Sequence, residues 1–425
     1  MKRLIRNGSV LYEGTLRKLD VLFDENSILK AAEHIEEDCE VIDASGLTVL
    51  PGLVDVHVHL REPGHDEKET IRTGTQAAAA GGFTSIFAMP NLNPFPDNPE
   101  VMKSYLQKIS EDSLVHTYPY GTITCGEKGA AVSDMKGMSE LGIRWFSDDG
   151  VGVADDAVME KAMQEVASLG ALMACHTEDM NYRVKGASVH DSEYAAKNGW
   201  IGIPSACESE QLKRDLKLAC RIPLRYHGCH ISAKESVEAI REAQAAGADV
   251  TAEVTAHHLL LEDKDVRGTN WKMNPPLRTH EDRMSLIEAL EDGTLSFIAN
   301  DHAPHTLADK EKPMAEAAFG IVSLETSFPL LYTEFVKNTG RWTLAQLVSW
   351  MSEKPAARFG LEKTGRIEEG WKSDLILADL EHEYVIDASK FYSKGKNTPF
   401  NGETVHCRVK ETIVSGRTVW KEESE

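Results

Sequence analysis

The sequence predicts an α/β protein, a (β/α)8 TIM barrel with a small β-sandwich domain formed by the N- and C-terminal segments. Three observations support this fold. The middle of the chain repeats an apolar strand followed by an amphipathic helix, both ends alternate polar and apolar residues, and the 425 residues exceed the usual size of one domain. Parallel strands need crossover connections, and a closed barrel of eight strand-helix units takes ~250 residues. An open doubly wound sheet is the alternative architecture.

The two ends of the chain are the predicted β domain. KRLIRNGSVL, KLDVLFDEN and CEVIDASGLTVLPG stand at the N-terminal end, and TGRIEEGWKSDLILADL, HEYVIDAS and VKETIVSGRTVWKEE stand at the C-terminal end. Alternating stretches separated by Gly, Asn and Asp are typical of short strands joined by turns. We therefore expect residues 1–51 and 355–425 to pair into one composite β domain, with residues 52–354 forming the barrel.

Eight apolar stretches are the candidate barrel strands. They are LVDVHVHL, TSIFAMPN, VHTYPYGTIT, GIRWFSDD, ALMACHTED, LRYHGCHIS, DVTAEVTAHHLLL and LSFIANDHAP. Among the helices expected between them are residues 67–82, 155–170, 233–248 and 280–293. The carboxyl ends of barrel strands share one face, where active sites are built, and most polar candidates of this sequence fall there.

Charge and cysteine content exclude several classes of protein. With 46 Lys and Arg against 68 Asp and Glu, the formal charge of −22 disfavours nucleic-acid and anionic membrane partners. An anionic substrate would need positive charge inside the site, from metal ions or a buried Arg. The seven cysteines form no CxxC pair, and neither an apolar signal region nor a run of ~20 apolar residues is present. A cytoplasmic location is therefore expected.

His57 and His59 are the first metal-ligand candidates. They stand two residues apart on the first candidate strand, so their side chains point to the same face. Two imidazoles can hold one cation, although an isolated pair of this kind also occurs as hydrogen-bonded core histidines. His and Asp residues at the ends of other candidate strands favour the metal site. The polar strand-end residues are Asn91, Asp149, His176, His230 and Asp301.

Seven motifs occur along the chain in a specific order: PGLVDVHVHLREPG, MPNLNP, SDDG, CHTED, CHIS, NPPLR and NDHAPH. Together they resemble the amidohydrolase superfamily and, within it, the type I dihydroorotases. The resemblance covers nearly the whole chain and includes GRIEEGWKSDLILAD, which is similar to the β domain of that superfamily. HxH alone is unspecific, whereas HxHLREPG combined with NDHAPH is specific.

The resemblance implies two metal ions per subunit, and mixed His and carboxylate ligands suit zinc as the cofactor. His57, His59 and Asp301 would hold one ion, and His176 and His230 would hold the second. Many relatives bridge the two ions with a carboxylated Lys, but the fourth candidate strand ends in RWFSDDG, without a Lys. Asp149 is therefore the expected bridging carboxylate.

Several alternatives to this ligand set remain. Asp148 is the alternative bridge, since only one of two neighbouring residues on a strand can face inward, and Asp-Asp-Gly is also typical of a turn. His257 and His258, in TAHH where relatives carry PHH, are expected to orient ligands or pack in the core. His227 is a rival ligand, although a strand would place it on the face opposite His230.

Arg61 is the main candidate for substrate recognition. It follows His59 by two residues, and its planar guanidinium suits a carboxylate. By resemblance, Asn91 and His305 help hold that carboxylate, Asn274 contacts the ring edge, and the backbone of Phe319 and Gly320 contributes further contacts. The expected substrate-binding residues are His59, Leu60, Arg61, Asn91, Asn274, His305, Phe319 and Gly320. Residues 303–320, rich in Lys and Glu, are expected to form a mobile loop over the site.

The expected reaction is the reversible cyclisation of N-carbamoyl-L-aspartate to L-dihydroorotate in de novo pyrimidine (UMP) synthesis. A metal-activated bridging hydroxide would attack the ring carbonyl, and Asp301 would act as general base and then as general acid. Hydantoinases, dihydropyrimidinases and allantoinases are the rival cyclic amidohydrolases, and Arg61 argues against them. A non-catalytic scaffold is a further alternative, but all proposed ligands are present. A homodimer is expected, and the resemblance implies aspartate carbamoyltransferase as a candidate partner.

Overall fold

The computed structural model describes residues 1–423 and has a mixed α/β fold. Its central strands form one parallel sheet of three strands and one of five. The first comprises Leu53–Val58, Phe83–Ala88 and His116–Pro119, and the second Trp145–Phe146, Leu172–Cys175, Arg225–Gly228, Val250–Thr255 and Phe297–Ala299. Single parallel bridges, Gly121 with Phe146 and Val58 with His302, join the sheets at both edges. The carboxyl ends of these strands therefore lie on one side.

Helices connect the central strands, and local signals set their ends. Thr70 caps Ile71–Ala80 by accepting from Thr73 N, and Thr279 caps His280–Asp292 by accepting from Asp282 N. The other α-helices are Pro99–Asp112, Met135–Glu140, Asp156–Ser168, Glu193–Lys197, Ala206–Ala219, Lys234–Ala245, Ala256–Leu260, Leu307–Lys310, Ser327–Leu331, Leu344–Val348 and Lys354–Arg358, with π-helical Tyr332–Asn338 and Ser349–Glu353. The four helices named from periodicity are confirmed.

The seventh candidate strand is shorter than the sequence indicated. The expected strand over residues 249–261 ends at Thr255, and the next residues form the helix Ala256–Leu260. Thr255 accepts a hydrogen bond from His258 N through its side chain and so caps this helix. The expectation of a strand through His257 and His258 was therefore wrong, because the apolar run LLL belongs to a helical turn rather than to the sheet.

Strands from the two ends of the chain pair directly. A six-stranded sheet contains Arg417–Lys421, Arg408–Val414, Leu375–Asp379, Thr48–Pro51, Ser9–Tyr12 and Thr15–Lys18, and a four-stranded sheet contains Ile28–Ala32, Asp20–Phe23, Arg3–Arg6 and Glu40–Asp43. Val49 pairs with Leu377 across the junction of the two segments. The expected boundary at residue 355 falls within the helix Lys354–Arg358, and the first strand after it begins at Leu375.

The terminal sheet leads straight into the first central strand. Strand Thr48–Pro51 is separated from Leu53–Val58 only by Gly52, where a β-carbon would collide with the side chain of Thr84. A glycine is needed for this close approach. The connection fixes the start of the strand that carries His57.

Two short strand pairs lie outside the main sheets. Ala187–His190 pairs in parallel with Ile201–Ile203, and Tyr384–Val385 pairs antiparallel with Thr404–Val405. Within residues 1–423, no helix has the length and apolar character needed to cross a membrane.

Candidate metal centre

The predicted metal ligands gather at the carboxyl ends of the central strands. His57 lies on the strand Leu53–Val58, and the others follow their strands by one to three residues. All are buried, although their positions span most of the chain between residues 57 and 301. They are His57, His59, Asp149, His176, His230 and Asp301. The parallel strands thus bring together residues that are far apart in sequence.

Two aspartates approach the first pair of histidines. Asp149 Oδ1 lies 3.2 Å from His57 Nε2, and Asp149 Oδ2 lies 3.3 Å from His59 Nε2. Asp301 Oδ1 lies 3.5 Å from His57 Nε2 and 3.1 Å from His59 Nε2. Donor atoms held about 2.0–2.1 Å from a tetrahedral ion are roughly 3.3 Å apart, which is the spacing found here.

The second pair of histidines lies against the same aspartate. His176 Nδ1 is 2.9 Å from His230 Nε2, and His230 Nε2 is 3.7 Å from Asp149 Oδ1. Asp149 is therefore within 4 Å of a ring nitrogen of three histidines, His57, His59 and His230.

Buried atoms without partners mark the place for a cation. His57 Nε2 and Asp149 Oδ1 have no hydrogen-bond partner within residues 1–423, although both are fully enclosed. Groups that can hold a metal ion are formed by His57, His59 and Asp301 and by His57, Asp149 and His230. Unsatisfied buried polar atoms are costly, and a cation shared by imidazole and carboxylate donors satisfies them. The residues fit a metal site.

The charges of the cluster also favour a cation. Burial alone would raise the pKa of Asp149, but His57 and His230 hold it well below its ordinary range. Burial alone would lower the pKa of His57, but the Asp149 carboxylate raises it well above its ordinary value. The pKa of Asp301 is likewise lowered, against its burial, chiefly by the hydrogen bond from His59. Both aspartates are therefore ionised and attract positive charge.

Asp148 faces away from the histidines. Its carboxylate accepts hydrogen bonds from Ile123 N at 2.7 Å, from Thr124 N at 3.0 Å and from the Thr124 hydroxyl. Burial raises its pKa to about 6. The neighbouring carboxylates thus have different surroundings, with Asp149 among imidazoles and Asp148 on a backbone turn.

Three predicted site residues are among the nine non-glycine residues with positive φ in the described part of the chain. Arg61, His230 and Asp301 have positive φ angles of 63°, 33° and 46°. This left-handed region is unfavourable for residues other than glycine, and such strain is found where side chains must be held in one orientation for function.

A cavity of about 240 Å³ opens onto the cluster. Seven of the eight predicted substrate-binding residues line it, the exception being Leu60, whose side chain is buried in the apolar core. A larger cavity of about 500 Å³ lies against the C-terminal strands and is lined by none of the predicted site residues. The smaller cavity is therefore the candidate substrate site.

Hydrogen bonds orient the polar residues that line the cavity. Asn91 Oδ1 lies 2.9 Å from His59 Nδ1, so the amide accepts from the ring. Arg61 Nε donates to Pro304 O at 3.2 Å, and His305 Nε2 donates to Phe319 O at 2.7 Å. Burial, together with the charge of Arg61, lowers the pKa of His305 to about 2, so this imidazole is neutral.

Two charged lining residues were not foreseen from the sequence. Glu178 Oε2 lies 3.4 Å from His176 Nε2 and accepts from Asn274 Nδ2 at 3.1 Å, while Arg183 donates to Glu178 Oε1 and lies over the Phe319 ring. The position of Glu178 two residues after His176 is a usable signal, since ligating histidines need oriented partners. Arg183 stands in a loop without a recognisable pattern.

Of the three alternative histidines, His258 and His227 have hydrogen-bond partners outside the proposed ligand set. His258 lies 2.6 Å from the Thr255 hydroxyl and 3.1 Å from Pro275 O. His227, the rival ligand, lies 3.0 Å from Glu253 Oε2. His257 is fully buried, and its ring nitrogens have no hydrogen-bond partner in the described part of the chain.

Comparison with known proteins identifies the family. Residues 46–236 match the family model described as dihydro-orotase-like. A dihydroorotase of Halalkalibacterium halodurans is 50% identical over 426 aligned residues, and one of Bacillus licheniformis is also 50% identical over 426, each covering 99% of both chains. The chain belongs to the dihydroorotase family. This confirms the resemblance drawn from the HxHLREPG and NDHAPH motifs.

Solved structures place the dihydroorotase chain among other cyclic amidohydrolases. An L-hydantoinase of Arthrobacter aurescens has a TM-score of 0.89 at 27% identity, with 99% of this chain and 96% of that chain covered. A dihydropyrimidinase of Brevibacillus agri has a TM-score of 0.86 at 25% identity, with 99% and 95% covered. Hydantoinases share the fold at about half the identity found for dihydroorotases, so the hydantoinase alternative fits less well.

Proposed function

We propose that this protein is a dihydroorotase that reversibly cyclises N-carbamoyl-L-aspartate to L-dihydroorotate in de novo pyrimidine (UMP) synthesis. The observation that carries the proposal is that Arg61 lines one cavity together with five of the six proposed ligands. The cluster suits amide hydrolysis, and the guanidinium suits the carboxylate of dihydroorotate. The full-length identity to dihydroorotases supports the same reaction.

The fold proposed for this function is a closed (β/α)8 barrel over residues 52–354 with a composite β domain of residues 1–51 and 355–425. The parallel bridges at both sheet edges support closure. The pairing of Thr48–Pro51 with Leu375–Asp379 supports one domain built from both ends. Closure would place all ligands at the carboxyl end of the barrel, where active sites of this fold are built.

We further propose two zinc ions per subunit. His57, His59 and Asp301 would hold one, His176 and His230 would hold the other, and Asp149 would contact both. Mixed imidazole and carboxylate donors suit zinc. When bound, the ions lower the pKa of water and polarise the substrate carbonyl. The buried unpartnered atoms of His57 and Asp149 support this arrangement.

Asp301 would carry the proton. Its lowered pKa keeps it ionised, so Oδ1 or Oδ2 can accept a proton from the attacking water. The same carboxyl group would deliver that proton to the leaving ring nitrogen. One residue thereby acts as general base and then as general acid. Asp301 Oδ1 lies 3.1 Å from His59 Nε2, so the two proposed ligand atoms would face the same ion.

The substrate carboxylate would lie against Arg61, Asn91 and His305. Asn274 would contact the ring edge, and the backbone of Phe319 and Gly320 would complete the pocket wall. The side chain of Leu60 is buried, so its contribution would come from the backbone. The loop 303–320 would cover the bound ring, since it supplies several of the lining residues.

A direct assay of ring opening tests the proposal. Purified protein is given L-dihydroorotate, hydantoin and allantoin in parallel. We expect kcat/KM for dihydroorotate to exceed the others by at least 100-fold, because only dihydroorotate carries the carboxylate that pairs with Arg61. Faster turnover of hydantoin would assign the protein to the hydantoinases and overturn the proposal.

Three further expectations stay predictions. They are a homodimer, association with aspartate carbamoyltransferase, and a cytoplasmic location.

A further inference from the structure

A buried carboxylate lies behind the first histidine of the metal cluster. Glu253 belongs to the strand Val250–Thr255 and is fully enclosed. Its Oε1 lies 2.7 Å from His57 Nδ1 and accepts a hydrogen bond from His230 N at 3.2 Å. Glu253 lies outside the substrate cavity, whose lining does not include it. It therefore touches a proposed ligand without touching the substrate.

The contact fixes the tautomer of His57. Imidazole has two nitrogens, and the neutral ring carries its proton on one of them. Since the carboxylate of Glu253 can only accept, the proton must be on Nδ1. In the neutral ring the lone pair is then on Nε2, which is the atom 3.2 Å from Asp149 and 3.5 Å from Asp301. A ring with the other tautomer would present a proton to the metal site.

A second histidine holds Glu253 from the other side. His227 Nε2 lies 3.0 Å from Glu253 Oε2, and its Nδ1 lies 2.9 Å from the Thr251 hydroxyl. The ring stacks on Phe297 with centroids 5.1 Å apart. One assignment of protons satisfies these three hydrogen bonds. The Thr251 hydroxyl donates to His227 Nδ1, and His227 Nε2 and His57 Nδ1 each donate to the Glu253 carboxylate.

The same atoms do not make a separate metal site. His57, Cys229 and Glu253 are close enough together to hold an ion. However, the 2.7 Å between His57 Nδ1 and Glu253 Oε1 is that of a charge-assisted hydrogen bond. Because Nδ1 carries the proton of this bond, it has no lone pair for an ion.

We propose that Glu253 is a positioning residue, which holds His57 in the tautomer that offers Nε2 to the metal, and that His227 holds Glu253. The inference rests on the proposed metal site and goes beyond it in assigning the residues that prepare the ligand. Partners of ligating histidines typically contribute 10–100-fold to metal affinity, by the general behaviour of such sites.

Glu253→Gln tests this most directly. The amide has one acceptor oxygen for two imidazole N–H groups, so one ring must change its tautomer. We expect E253Q, purified with its metal, to lose metal to a chelating dye about 10–100-fold faster than the unaltered protein. Circular dichroism checks that the variant is folded. A folded E253Q that releases metal at the unaltered rate would overturn the proposal.

A second variant separates positioning from packing. His227→Phe keeps the stacked ring but removes the donor to Glu253, so we expect faster metal release than in the unaltered protein, by a smaller factor than in E253Q. In the double variant E253Q/H227F, the amide oxygen is free to accept from His57, and we expect slower release than in E253Q. Equal rates of metal release from E253Q and the double variant would contradict the claim that Glu253 fixes the tautomer of His57. If E253Q does not fold, unaltered release from H227F overturns the proposal.

Asp55→Asn is the matched control. Asp55 is a buried carboxylate on the same strand as His57, and it accepts from His57 N and Asn300 N through Oδ1 alone. Asparagine can keep that oxygen, so D55N changes a nearby buried charge without touching a ring nitrogen. We expect the rate of metal release from D55N to stay within about twofold of the unaltered rate. If D55N releases metal as fast as E253Q, the effect is a general one of buried charge and the proposal is overturned. The readout uses no substrate, so it is independent of the dihydroorotase assignment.

Discussion

Arg61 and His305 lie side by side at the candidate substrate cavity, with Nη2 of Arg61 3.4 Å from Nε2 of His305. The histidine proton is already donated to Phe319 O, so the imidazole offers Arg61 no acceptor there. Within the described residues, no carboxylate lies within 4.0 Å of the Arg61 guanidinium, although neighbouring arginines such as Arg183 are paired. A largely enclosed, unpaired guanidinium is a prepared binding site for an anion.

Removing this guanidinium will therefore mainly affect the carboxylated substrate. We expect Arg61→Ala to lower kcat/KM for dihydroorotate by about 10²–10³-fold, because charge-assisted hydrogen bonds to the substrate are lost. Steady-state kinetics measures the effect, and Arg72→Ala, on an exposed helix position, is the control. Unchanged kcat/KM in R61A would remove Arg61 from the site.

Asp301 is proposed both as a metal ligand and as the proton carrier, so its substitution should lower activity without unfolding the protein. Asp301→Asn keeps the size of the side chain but cannot accept the proton of water. We expect kcat to fall by roughly 10²–10⁴-fold, the usual contribution of general acid-base catalysis, while the circular dichroism spectrum stays unchanged. Rates equal to those of the unaltered protein would exclude this role.

The neighbouring aspartates predict opposite results for the same chemical change. Asp149→Asn removes the carboxylate shared by three histidines, and elemental analysis should show the metal content falling from two ions per chain to one or fewer. Asp148→Asn should retain both ions and lose about 1–3 kcal/mol of unfolding free energy, because Thr124 and Ile123 lose a charged acceptor. Full metal content in D149N, or its loss in D148N, would reverse the assignment of the bridging residue.

Glu325 predicts a pH dependence of stability away from the metal site. Burial raises its pKa from 4.5 to about 7, although Tyr392 N and Ser393 N donate to it. Between these values the folded protein keeps a proton that the unfolded chain releases, so this carboxyl makes stability fall as the pH rises. Relative to the unaltered protein, Glu325→Gln should therefore gain unfolding free energy from pH 5 to pH 8 in denaturant titrations. Glu316→Gln, at an exposed position, should show the same pH dependence of the unfolding free energy as the unaltered protein. If the unfolding free energy of E325Q shows the same pH dependence as that of the unaltered protein, the raised pKa of Glu325 is contradicted.

Local pattern was enough to predict that the central strands exist, to predict four of the helices, and to predict that the polar strand ends cluster. The period-two rule placed His57 and His59 on one face, and the same rule left Asp148 and Asp149 as alternatives, although both follow the strand Trp145–Phe146. Their distinction needed the turn at Ile123 and Thr124, which approaches from another part of the chain. Long-range contacts of this kind leave no local periodicity.

The misplaced end of the seventh strand has a local cause. A short apolar run such as LLL fits a strand and a buried helical turn equally, and only the cap formed by Thr255 decides between them. The sequence placed Glu253 on a strand but did not predict its hydrogen bond to His57, because 196 positions separate the two residues in sequence. Side-chain pairs between strands become visible only when the strand order is known.

The joining of the first central strand to the last, through the bridge between Val58 and His302, has a consequence for biosynthesis. A growing chain contains His57 and His59 from early on, but the proposed site lacks Asp301 until most of the protein has been made. Contacts so distant in sequence form late in folding. Tight retention of metal would then report that synthesis has passed Asp301 and that the first and last central strands have joined, and a fragment ending before Asp301 would not hold the metal tightly.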